Sequence, residues 1–141
     1  MTVRCKCLML GPYGIKPEYQ TKEAACADVA LPDHLVLKPG EIKMVPLQIG
    51  FEIQNGYKIV MYPRSSLMIK YGIVQPTSII DSDYSGMEVH VPLYNTSNKR
   101  IKLPAGTRVA QIECVPVCDC TDWPHKSKIR TGGFGSTGAG K

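Results

Sequence analysis

The chain has 141 residues and a mass of 15.5 kDa, with 17 Lys and Arg against 12 Asp and Glu, for a net charge of +5 when the histidines are neutral. That length supports one ordinary core and not two. No run of Lys or Arg exceeds two residues, a balance that suits an anionic ligand better than duplex DNA and gives no reason to expect stable nucleic-acid binding.

The opening MTVRCKCLML is broken by charge and followed by GPYG, unlike a signal peptide or a membrane span. We expect an intracellular protein, cytoplasmic or nuclear, of cellular or viral origin, with no membrane partner. Six cysteines, at positions 5, 7, 26, 114, 118 and 120, include two Cys-x-Cys pairs and no C-x-x-C. Spacing by two puts both thiols of a pair on one face of a strand, and free half-buried thiols are expected in place of disulfides or zinc.

Further along, short β-like runs alternate with turn residues. HLVLKPGEIKMVPLQIGFEIQNGYKIVMYP, VHVPLYN and KRIKLPAGTRVAQIECVPV are punctuated by KPGE, QNGY and PAGT, a rhythm that predicts an all-β sandwich or barrel. The only helical hint is a short turn near Ser65 to Lys70. From Trp123 the apolar alternation stops, so residues 1–122 are expected to form the β domain and 123–141 a flexible glycine-rich arm. The final GSTGAGK matches the glycine and lysine spacing of a phosphate-binding P-loop. The match lacks its context, a buried strand before the loop, a helix after it and a hydroxyl for Mg²⁺.

Four polar clusters interrupt the β pattern. AACADV sets Asp28 among small residues, and PRSSL places Arg64, Ser65 and Ser66 at a strand exit, suited to phosphate oxygens. IIDSDYSG offers Asp81, Asp83 and Tyr84 around a turn, and GTRVAQ carries Arg108 and Gln111 on a strand. Taken singly, each is equally well a cap, a surface pair or a hairpin tip.

In order, AACADV, PRSSL, SIIDSDYSG, GTRVAQ and GGFGSTG resemble the five motifs of the trimeric dUTPase family, over nearly the whole chain. The resemblance implies a distorted β jelly-roll or barrel subunit in a homotrimer with shared active sites, hydrolysing dUTP to dUMP and pyrophosphate with Mg²⁺. Such an activity limits uracil incorporation into DNA and supplies dUMP for dTMP synthesis. It implies that Asp81 activates the attacking water, that Tyr84 excludes a 2′-hydroxyl, and that Arg64, Ser65, Ser66 and Gln111 hold the phosphates. It further implies that the hairpin over 78–95, with Ser78, Ile80 and Met87, reads uracil through its backbone, and that Asp28 meets Mg²⁺ through water. In the arm, Phe134 stacks on the base, while Gly135, Ser136 and Thr137, with Lys128 or Arg130, reach the γ-phosphate. Asn95 follows the hairpin with no assigned role.

Several positions depart from the family pattern. Cys26 and Ala27 replace Gly and Tyr in the first motif, so the turn at Asp28 is expected to form without glycine. Ser66 and Ser78 also stand at usual glycine positions, and Arg130 lies two residues before the paired glycines where three is usual. Two rival readings follow. A dCTP deaminase-like or bifunctional enzyme would share the R-S-S sequence, with Glu88 as its glutamate; a nucleotide-binding regulatory trimer would have reduced catalysis.

Overall fold

A computed structural model describes residues 4–133. Among the described residues ten antiparallel strands form three sheets. β1 (Cys5–Met9), β4 (Ile42–Ile53), β8 (Glu88–Asn95) and β6 (Ile73–Val74) make the first, in the order β1-β4-β8-β6. β2 (Ala27–Ala30), β10 (Arg108–Pro116), β5 (Tyr57–Pro63) and β7 (Ser78–Ile80) make the second, in the order β2-β10-β5-β7, and β3 (Leu35–Leu37) pairs with β9 (Ile101–Leu103). No two consecutive strands among these belong to the same sheet, so the chain passes from one sheet to another at every connection, as in a jelly-roll.

Alternation explains the burial. β4 buries Val45, Leu47, Ile49, Phe51 and Ile53, β8 buries Val89, Val91 and Leu93, and the second sheet answers with Ile59, Met61, Ile80, Val109 and Ile112. The turns KPGE, QNGY and PAGT form where the sequence predicts them, with Gly40, Gly56 and Gly106 at φ of 73°, 92° and 86°. The hint near Ser65 is a helix, α1 (Ser65–Tyr71), which buries only Leu67 and ends at left-handed Gly72. At seven residues it is too short to show helical periodicity.

Asn95 is fully buried and fastens two loops. Its Nδ2 donates to the carbonyls of Leu37, Lys38 and Lys99 at 3.1, 3.1 and 2.7 Å, and its Oδ1 accepts from the amide and hydroxyl of Ser97. The pair Cys5/Cys7 lies half-buried on β1, but Cys118 and Cys120 lie beyond β10, exposed and off any strand, because the apolar alternation ends at Pro116. All six thiols are free. Among the described residues no helix is long and apolar enough to cross a membrane.

Candidate active site

The motif residues gather into two clusters. In the first, strand register does the positioning: Asp28 on β2 pairs with Gln111 on β10, which pairs with Tyr62 on β5, so the three form one row across the sheet. Asp28 needs no glycine turn, because it sits on a strand and also exchanges backbone hydrogen bonds with Glu18 at 2.8 and 3.1 Å. The expected turn is replaced by a strand held on both sides, with Ala27 in the core.

Arg64 and Arg108 converge on the Asp28 carboxylate at 3.7 and 3.3 Å, and Arg64 also donates to the Arg108 carbonyl at 3.0 Å. Gln111 Nε2 donates to the Pro63 carbonyl at 3.0 Å, tying the glutamine to the strand exit that carries Arg64. Together with Cys26, Ser65 and Ser66, these groups line an open cleft of about 420 Å³. Two guanidiniums against one carboxylate leave the cleft net positive, the sign that an oligophosphate requires. Among the described residues no three His, Cys, Asp or Glu side chains converge on one point. That donor set suits only a cation held mainly by its ligand's phosphates, since Mg²⁺ keeps several waters and needs few protein ligands.

The second cluster follows β7. A 3-10 turn at Ser82–Tyr84 leaves Asp81 and Asp83 exposed, with 52% and 59% of their side chains accessible, while Tyr84 is buried. The Tyr84 hydroxyl donates to the Glu88 carbonyl, and burial raises its pKa, so the ring is a fixed, neutral platform. Ile80 is 2% exposed in the core, which leaves only its backbone for recognition. Ser78 lies on β7, the outermost strand of its sheet, and Met87 packs half-buried against the core. Arg130 reaches this cluster, pairing with Asp81 and Asp83 at 2.6 Å each. Phe134, Gly135, Ser136 and Thr137 lie outside the described residues.

The clusters stand apart. Ile80 is opposite Ile59 on β5, so Asp81 falls level with Lys58, whereas Arg64 follows Pro63 at the far end of that strand. Six residues at roughly 3.3 Å each put Asp81 about 20 Å from Arg64 along the sheet. Sequence reasoning missed the joint grip of Arg64 and Arg108 on Asp28, which no local pattern signals, because the residues are far apart in the chain.

Glu88, the residue a deaminase-like reading would use, is committed elsewhere. Its Oε2 accepts the amide of Gln48 at 2.9 Å, and Oε1 lies 3.9 Å from His90 Nε2. Gln48 has φ of 58° within the bulge where the β4–β8 register shifts, a conformation costing a non-glycine residue about 1 kcal/mol or more. Glu88 helps to hold that bulge.

A family model described as dUTPase matches residues 13–140. The deoxyuridine 5'-triphosphate nucleotidohydrolase of Nautilia profundicola is 37% identical over 142 residues, covering 96% of this chain and 99% of the relative. Among solved structures, a variant of the Staphylococcus bacteriophage 80alpha dUTPase with dUpNHpp has a TM-score of 0.73 at 22% identity, covering 97% of this chain and 99% of that one. A variant dUTPase from phage phi11 of S. aureus, described with a structural Mg(II) ion, has a TM-score of 0.75 at 19% identity, covering 88% and 97%.

Proposed function

The chain belongs to the dUTPase family, and from that premise we propose how its two clusters carry out the hydrolysis of dUTP to dUMP and pyrophosphate. The observation that carries the reading is the division of labour between them. A net-positive cleft holds Arg64, Ser65, Ser66 and Gln111 with Asp28, and an exposed acidic turn about 20 Å away holds Asp81.

Arg64, Gln111 and the two hydroxyls bind the phosphates and supply fixed donors for charge that shifts during displacement. Asp81 accepts a proton from the water that attacks the α-phosphorus; an exposed carboxylate suffices, because phosphoryl transfer asks for an oriented water more than for a strong base. Mg²⁺, when bound, would offset phosphate charge, with Asp28 contacting it through water. Tyr84, held by its hydroxyl, blocks space for a 2′-hydroxyl, and the edge of β7 at Ser78 and Ile80, continuing to Met87, offers backbone groups to uracil.

One subunit cannot bring Asp81 and Arg64 to the same scissile bond, since the side chains of an aspartate and an arginine do not bridge such a gap. Sites shared between the subunits of a homotrimer resolve this, with residues 123–141 as an arm whose Phe134, Gly135, Ser136 and Thr137 close over the nucleotide. The deaminase-like reading is not favoured, since Glu88 is tied to the bulge at Gln48 and the relatives are nucleotidohydrolases. The regulatory-trimer reading is not favoured either, because the motif residues with catalytic roles are all present.

The test is pyrophosphate release from dUTP with Mg²⁺, with dTTP, dCTP and UTP as controls. Asp81→Asn is expected to lose at least about 100-fold in turnover while retaining nucleotide binding. Wild-type turnover in Asp81→Asn would remove Asp81 from the mechanism.

A further inference from the structure

The family resemblance directs Arg130 toward the γ-phosphate, yet each nitrogen of its guanidinium already has a protein partner. Nε donates to Asp83 Oδ1 and Nη2 to Asp81 Oδ2, each at 2.6 Å, and Nη1 donates to the Gly132 carbonyl at 2.9 Å. Only 16% of the Arg130 side chain is accessible, although both carboxylates are more than half exposed. A second contact accompanies the first. Gly133 lies so close to the Tyr84 ring that an added Cβ would sit 2.3 Å from Cε2. A charge clamp and a close backbone approach therefore land on the same short turn, from a stretch of four residues.

The geometry points to Arg130 as the latch that seats the arm on the acidic turn, and to Asp83 as a positioning residue that holds this latch. Arg130 takes Oδ2 of Asp81 and leaves Oδ1 for the water, so the docked arm fixes the orientation of the carboxylate; this last step rests on the assignment of Asp81 above. Asp83 acts through Arg130. Its part is to give the guanidinium a second anion, so that the planar fork spans two carboxylates at once, which a lysine ammonium cannot reproduce. The one-residue displacement of the arginine relative to the family pattern then has a use: its charge is spent on the turn and not on the triphosphate.

The latch and a γ-phosphate contact make opposite demands on Asp83. If Arg130 gripped phosphate, Arg130→Ala would raise KM with kcat kept, and Asp83 would be silent. With the latch, Asp83→Asn lowers kcat by about 10-fold while KM stays within about 3-fold, because misplacing a reacting group costs turnover more than binding. Asp83→Glu keeps most of the turnover, and adding Asp83→Asn to Arg130→Ala costs nothing further, as expected for two ends of one contact. Raising salt lowers wild-type kcat, through screening of exposed pairs, more than that of Asp83→Asn, which keeps only the pair with Asp81.

A second readout does not depend on activity. Trypsin must capture the Arg130 side chain to cut after it, so in the full-length, nucleotide-free protein Asp83→Asn speeds cleavage after Arg130 relative to cleavage after Lys126 and Lys128 in the same arm. Unchanged relative cleavage, or a pure KM effect in Arg130→Ala, overturns the latch. Faster cleavage with unchanged kcat leaves the latch standing and overturns the assignment of Asp81 instead.

Discussion

Mixing two inactive variants measures whether the site is shared. Arg64→Ala disables the cleft and Asp81→Asn disables the turn, and the strand register separates the two by about 20 Å within one chain. When each site takes its cleft from one subunit and its turn from a neighbour, a site in a mixed trimer works if the first is the Asp81→Asn chain and the second the Arg64→Ala chain. Random assembly from equal amounts makes that chance one half times one half, so about one quarter of wild-type dUTP turnover returns. At a three-to-one ratio the fraction falls to roughly three sixteenths, and the maximum at equal mixing is itself diagnostic. The assay is pyrophosphate release after co-refolding of the variants, each with a different affinity tag so that mixed assemblies can be counted. Turnover no higher than the parents, in a sample rich in mixed assemblies, would refute the shared site and require one chain to bring both clusters together.

Two further outcomes concern the scaffold. Asn95→Asp keeps the shape of the side chain but removes its donors to three carbonyls and buries a charge, so stability is expected to fall by about 3–5 kcal/mol in denaturant unfolding. A loss below about 1 kcal/mol would mean that those carbonyls are satisfied without Asn95. Burial, reinforced by Cys114, pushes the Cys5 thiol from 9.0 to about 12. The folded chain therefore holds that proton more tightly than the unfolded one, and the contribution of Cys5 to stability is whole below pH 9 and is lost as pH rises towards 12. Cys5→Ala should flatten the stability curve over that window relative to the parent, and parallel curves would contradict the shift.

The strands and turns were legible because their causes are local. Val89, Val91 and Leu93 alternate along one face, and Gly40, Gly56 and Gly106 stand where the backbone turns left-handed. The motif residues were legible too, through resemblance, and the clusters Asp28/Arg64/Gln111 and Asp81/Tyr84 are where those residues meet. The burial of Ile80, expected from the resemblance to meet a ligand through its backbone, was not legible in the sequence, since burial depends on what packs opposite.

The order of short apolar runs and turns by itself determined an all-β chain, and the five motifs, through resemblance, determined its family, because hydrophobic alternation and motif residues are properties of neighbouring positions. Only the tertiary structure decided that Arg108 faces Asp28, that Glu88 is committed to a strained bulge, and that Arg130 clamps Asp81 and Asp83. It alone decided that the cleft and the acidic turn lie at opposite ends of one sheet. Those are pairings between distant segments, set by strand register, and a shift of one residue in register would send each side chain to the other face.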